Sequence, residues 1–402
     1  MASISGTGCC VVDYLYTNID FNSETFKKYQ SKKAGDGGLN PGHLSFVEAW
    51  EKFAGKPLDE IRKEQGWMRD PDNYNLGGPC IVALVNAAQL TSGVKAKVKY
   101  FGGRGRDETG DRIVSILKKT PVDISGYKPM DGSSPFCVCL SDPNYSNGHG
   151  ERSFAINLGT MAQIGVSHIG DDFFKSDILY FGATALTPVL HDNLTSLLRR
   201  GKREGKINVV GTVYDHRNQA RNPKGRWPMG ESDDSFIFMD LLMVDWEEAL
   251  RISGAEDIAD ACQFFVRKGV NAFTITHGAE LACAWSSGKL FKPMPISWFP
   301  ICDAVTKDLA ANPSARGDTT GCGDNFAGGM LAFLSEELGK GKTAGELDLA
   351  EGVAWGVASG GFACFTVGGT YIEKEPGEKR KHIDRYIQLY KAQIKTRRGA
   401  KL

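Results

Sequence analysis

The chain has 402 residues, of which 41% are hydrophobic and 24% charged, and its 48 basic residues balance 48 acidic ones. A formal net charge of zero supplies no overall field for nucleic acid or an anionic membrane, and no apolar run approaches the ~20 residues needed to span a bilayer. One large α/β domain with insertions fits this length and composition, and small molecules rather than polymers or lipid are the expected partners.

The first residues, Met1 to Tyr16, lack the basic start, apolar stretch and cleavage site of a secretory signal, so the cytoplasm is the expected compartment. Ten cysteines at 9, 10, 80, 137, 139, 262, 283, 302, 322 and 364 form no C-x-x-C pair and lie mostly in apolar segments. Buried free thiols are expected, not a zinc site or disulfides.

Cys9 to Val12 reads as a buried strand. The segment Asp20 to Asn75, rich in Lys, Gly, Asn and Asp, then interrupts the crossover such a strand should make. Tyr127 to Leu158 contains short alternating runs, Phe136 to Leu140 among them, bounded by Gly, Pro and Asn. Lid or insertion material is therefore expected over about 14–75 and 127–158, the first of these being equally compatible with a surface insertion. A small β-sheet closing over the end of a larger sheet would exclude water from a group transfer. Further strands are predicted at Asp177 to Phe181, Ile207 to Tyr214, Asp240 to Val244 and Ala272 to Thr276, with helical periodicity over Thr187 to Glu204 and Glu247 to Lys268. This alternation predicts a doubly wound, mainly parallel sheet with helices on both faces.

The segment Gly317-Asp318-Thr319-Thr320-Gly321-Cys322-Gly323-Asp324 precedes Phe326, Met330, Phe333 and Leu334, which share one helical face, so a helix should start near Gly323. Unpaired amides and the dipole at such a Gly-rich start favour phosphate oxygens, and the Asp324 carboxylate in the first turn can take a proton from a hydroxyl. Spacing alone favours no more than a capped helix with a Gly-rich turn. At the end of the chain, Ile383, Tyr386, Ile387, Tyr390 and Ile394 give Lys379 to Leu402 an amphipathic pattern with a solvated basic face.

Asp318-Thr-Thr-Gly-Cys-Gly-Asp324 closely resembles the D-T-x-G-A-G-D signature of the ribokinase-like (PfkB) carbohydrate kinases, with Cys322 in place of the usual alanine. The resemblance implies a single ribokinase-like α/β domain over 1–402 with a small β lid, using ATP and Mg²⁺, with room for a monovalent cation. It makes Gly321, Cys322 and Gly323 the cradle of the migrating phosphoryl group, puts Thr320 on the nucleotide side, and makes Asp324 the base. Gly8 followed by Asp13 resembles the family's first strand, whose aspartate binds sugar hydroxyls, and Gly77-Gly78 resembles its substrate-side diglycine. The asparagine usual shortly afterwards is replaced near Val82, with Asn86 four residues on. Gly102 to Gly110 resembles the second family signature, with a mostly structural role. Gly150-Glu151-Arg152 resembles the G-E-R segment by the lid, which brings Arg152 toward substrate or phosphate. The family's N-x-x-E appears as Asp245 to Glu248, implying that Glu248 orders the waters of Mg²⁺ while Asp245 lies near the nucleotide. Thr276-His277-Gly278 is similar to the T-x-G turn that meets the nucleotide.

The expected activity is transfer of the γ-phosphoryl group of ATP to a hydroxyl of a small sugar or sugar-like molecule. An adenosine-type nucleoside kinase and a non-catalytic, kinase-like regulatory protein are the alternatives. A homodimer clasped through the lid is a further implication of the resemblance.

Overall fold

Short apolar runs bounded by glycine and polar turns form two sheets in the computed structural model, which describes residues 2–33, 35–66, 70–92, 97–148 and 150–399. In chain order the strands are β1 (Ile4–Gly8), β2 (Val11–Tyr16), β3 (Leu44–Phe46), β4 (Asn73–Gly77), β5 (Val98–Arg104), β6 (Asp123–Pro129), β7 (Phe136–Asp142), β8 (Glu151–Asn157), β9 (Ile178–Gly182), β10 (Ile207–Gly211), β11 (Leu241–Asp245), β12 (Ala272–Thr276), β13 (Ala282–Ser286) and β14 (Met294–Phe299). The large sheet has nine strands in the order β14-β13-β12-β11-β10-β9-β1-β5-β6. Every pairing from β6 to β12 is parallel, and β13 and β14 extend the sheet antiparallel.

Both faces are covered, so strands such as β9 and β11 are almost entirely apolar. Along β9, Ile178 and Tyr180 enter one core while Leu179 and Phe181 enter the other. The first core is completed by helices Pro79–Thr91, Cys322–Gly339, Leu349–Ala363 and Glu378–Gly399, and the second by Leu194–Arg203, Trp246–Ser253 and Ile258–Arg267. This is the doubly wound arrangement expected from the sequence.

The predicted strand Cys9 to Val12 falls on a junction: β1 ends at Gly8 in the large sheet, Cys9 and Cys10 link it to the small sheet, and Val11 and Val12 begin β2. The helical segments Thr187 to Glu204 and Glu247 to Lys268 are each broken in two. In the second, Gly254 takes the left-handed conformation (φ 72°) and ends one helix, and the Asp257 side chain caps the next by accepting from the Asp260 amide. Tyr127, Lys128 and Pro129 belong to β6 at the edge of the large sheet, so the small-sheet part of that region begins later, at β7. Residues 400–402 of the predicted C-terminal amphipathic segment, and 34 and 67–69 of the insertion, lie outside the described residues.

The small sheet has the order β3-β8-β7-β2-β4. Its inner face, with Val11, Leu15, Cys137, Cys139 and Ile156, packs toward Ala183 and Leu186 just beyond the end of β9. Its outer face, with Tyr16, Val138, Leu140 and Ala155, is covered by Phe21, Phe26, Tyr29 and Trp50 of the insertion. All ten cysteines are free. Among the described residues, no helix is long and apolar enough to cross a membrane.

Candidate active site

The helix Cys322–Gly339 starts from Gly321, whose φ of 75° is left-handed. A side chain there would also place its Cβ 2.7 Å from the Gly369 Cα, so glycine is required twice over. At Gly323 a Cβ would meet nothing within 4 Å, so the first helical turn is open on that side. Amides of that turn have no acceptor within the helix and carry the positive end of its dipole.

The turn is held from behind. The Asp318 carboxylate accepts from the Thr320 amide at 2.7 Å and the Gly368 amide at 3.3 Å. The Asn325 amide group donates to the Gly321 and Gly369 carbonyls, both at 2.9 Å. In turn, Asn86 Nδ2 donates to the Asn325 carbonyl at 2.7 Å and Lys379 Nζ to Asn325 Oδ1 at 2.9 Å. Asp324, partly exposed at the cleft, has its carboxyl pushed up to about 7 by burial, so it exchanges a proton near neutrality.

Asp13 approaches from β2 and is buried. Its carboxyl is pushed up to about 8, chiefly by burial, with the nearby Asp318 and Asp324 carboxylates adding and the Cys139 thiol opposing. The Asp318 and Asp324 carboxylates thus lie near enough to Asp13 to act on its charge. A Cβ on Gly77 would lie 2.2 Å from Asp13 Oδ2, and Gly78 (φ 95°) would press on the Cys9 carbonyl at 2.8 Å. The diglycine thus makes room for the Asp13 carboxylate and for the crossing between β1 and β2. Arg152, on β8, donates through Nη2 to Thr319 Oγ1 at 2.9 Å and through Nη1 to Thr320 Oγ1, with Asp318 at 3.6 Å. It ties the small sheet to the Gly-rich turn, and Leu15, Cys139 and Phe154 line the cleft beside it.

At the ends of β11 and β12, Asp245 and Thr276 are register partners. Asp245 accepts from the Glu247 amide at 2.9 Å, a helix cap, and the Glu248 carboxylate accepts from the Asp245 amide at 3.2 Å and from Thr212 Oγ1. Burial pushes Glu248 up to about 7; the Thr212 hydroxyl opposes this, while the Asp245 and Asp324 carboxylates add to it. A carboxylate with the Asp245 and Asp324 carboxylates near it fits Mg²⁺ held through water, because that ion favours carboxylate oxygens and keeps part of its hydration shell. Gly278 is exposed just past β12, and His277 stacks on Trp246 with ring centroids 4.3 Å apart.

Val82 instead packs in the core, and Asn86 supports the Cys322–Gly339 helix and not an acceptor. Within Gly102 to Gly110, the Asp107 carboxylate accepts from the Gly110 and Ser134 amides, at 2.8 and 2.7 Å, a structural turn. Sequence reading missed Asn325 and Lys379. Lys379 had a signal: it stands four residues before Ile383, on the face that also carries Tyr386, Ile387 and Tyr390, and only 2% of it is exposed.

The chain is 21% identical over 266 residues to the cytidine kinase of Thermococcus kodakarensis, a stretch covering 66% of this chain and 83% of that one. The adenosine kinase of Sinorhizobium meliloti superposes with a TM-score of 0.66 at 18% identity, covering 94% of this chain and 99% of the other. A putative ribokinase II from E. coli, in complex with ATP and Mg²⁺, superposes with a TM-score of 0.61 at 16% identity, covering 96% and 99%. Identities this low establish a shared fold, ribokinase-like, and nothing about the acceptor. Residues 70–375, well over half of the chain, match the pfkB family of carbohydrate kinases, and the chain belongs to that family.

Proposed function

We propose that the protein transfers the γ-phosphoryl group of ATP to a hydroxyl of a small sugar or sugar-like acceptor, with Asp324 as general base. The observation carrying this reading is a carboxylate, Asp324, in the first turn of a helix that starts from left-handed Gly321, with Arg152 of the small sheet held against the preceding Thr319 and Thr320. Asp13 hydrogen-bonds hydroxyls of the acceptor and orients one of them toward Asp324, beside the Gly77-Gly78 turn. As that oxygen bonds to the γ-phosphorus, its proton passes to the Asp324 carboxylate and the bond from phosphorus to the β,γ-bridging oxygen breaks, releasing ADP. The amides from Gly321 through Gly323 hold the charge on the migrating group. Arg152 holds the small sheet down as a lid through Thr319 and Thr320. Asp245, Thr276 and Gly278 lie on the nucleotide side, where Glu248 would hold Mg²⁺ through water. That ion neutralises charge on the nucleotide phosphates.

A nucleoside acceptor has one specific observation in its favour. Beside Arg152 the cleft is lined by Leu15, Cys139 and Phe154, an apolar wall suited to a flat base. Both readings are tested by ADP release from Mg·ATP over a panel of hexoses, pentoses, polyols, keto-acids and nucleosides. A single sugar turning over supports the first and a nucleoside the second. Nucleotide binding without ADP release above an Asp324→Asn control on every acceptor refutes both and favours a non-catalytic role.

A further inference from the structure

β2 and β7 run parallel with Asp13 opposite Cys137 and Leu15 opposite Cys139. Because alternate residues of a strand share a face, Asp13, Cys137 and Cys139 all project from the inner face of the small sheet. One ligand atom of each lies within 4.8 Å of the other two, and all three residues are buried. The two sulfurs are 3.8 Å apart. Two thiolates bound to one tetrahedral zinc at ~2.3 Å each stand ~3.8 Å apart, so this spacing needs no movement of the strand.

We propose that Asp13, Cys137 and Cys139 form a three-ligand site for a thiophilic divalent cation, Zn²⁺, which competes with the acceptor for the cleft. Two thiolates and a carboxylate carry three negative charges against the two of the ion, and the soft sulfur donors select zinc over magnesium or calcium. Binding releases the protons of both thiols and of the Asp13 carboxyl to solvent. Cys139 lines the cleft beside Arg152, Phe154 and Asp318, which gives the ion a way in and leaves its fourth position for water. The C-x-C spacing carries no zinc signature along the sequence, because the third ligand comes from a neighbouring strand. The competition rests on the proposed role of Asp13 toward the acceptor; the binding does not.

The test uses metal-free full-length protein titrated with Cd²⁺, read by the ultraviolet thiolate-to-cadmium charge-transfer band. The chain holds two other close thiol pairs, Cys262 with Cys283 and Cys322 with Cys364, so the wild type is compared with a Cys137→Ser/Cys139→Ser variant, whose difference isolates the site. A Cys137→Ala/Cys139→Ala variant, which buries no new hydroxyl, guards against loss of folding, checked by circular dichroism. We expect one equivalent of Cd²⁺ to be lost in both double variants and Asp13→Asn to weaken that equivalent at least about tenfold. Zn²⁺ should inhibit wild-type ADP release competitively with the acceptor at saturating Mg·ATP, and the double variants should show no such competition. An unchanged band in both double variants overturns the site. Loss of the band together with inhibition that no acceptor relieves overturns the competition and counts against the acceptor role of Asp13.

Discussion

Replacing Lys379 with methionine should stabilise the protein by an amount that shrinks as pH rises. The lysine is 2% exposed, its ammonium nitrogen reaches Asn325 Oδ1 at 2.9 Å, and burial lowers it from 10.5 to about 7 against the weaker opposing pull of Glu373. Between those two values the unfolded chain binds a proton that the native state does not. Native stability therefore rises with pH across that window and is lost as pH falls toward about 7. At roughly 1.4 kcal/mol for each pH unit, the whole gap amounts to ~5 kcal/mol, of which ~2 kcal/mol falls between about pH 7 and 9. Methionine fills a similar volume and does not titrate. The difference in unfolding free energy between variant and wild type, from reversible urea melts, should thus favour the variant most near pH 7 and narrow by ~2 kcal/mol by about pH 9. A difference that stays flat across that range would refute the buried, depressed lysine.

Two further outcomes follow from the Gly-rich turn. With the Asp324 carboxyl at about 7 and its ionised form needed to accept a proton, turnover at saturating substrates should rise about tenfold per pH unit well below that value and level off above it; a rate unchanged between about pH 5.5 and 8 would exclude this carboxylate as the titrating base. Gly321→Ala should cost at least about 1–2 kcal/mol from its left-handed conformation alone, with a further clash at Gly369, and should lower both the melting temperature and kcat. Wild-type melting and turnover in that variant would contradict the geometry of the turn.

The parts of the fold that follow from local pattern were legible. β9, β10 and β12 fall at or within a few residues of the predicted strands, because strands buried on both faces read as unbroken apolar runs. β1 was not legible. Its sequence, Ile-Ser-Gly-Thr-Gly, lacks bulk because helix Pro79–Thr91 crosses close above it: a Cβ on Gly6 would lie 2.5 Å from a Leu84 methyl. The same division holds in the site. Residues 318 to 324 announce themselves because glycine geometry and a helix start are local. The Asn325–Lys379 contact joins residues 54 positions apart, and the Asp13–Cys137–Cys139 cluster depends on strand register, so neither has a signature along the chain. Asp245 shows the converse: it stands where the resemblance expects asparagine, and its carboxylate caps a helix.

The central claim is tested most directly by the Asp324→Asn variant, assayed for ADP release on the acceptor found in the panel, with ATP affinity measured in parallel. Loss of about 10²- to 10⁴-fold in kcat with ATP binding close to wild type is the predicted result. Turnover within a few-fold of wild type, or a loss fully explained by failure to bind ATP, would contradict it.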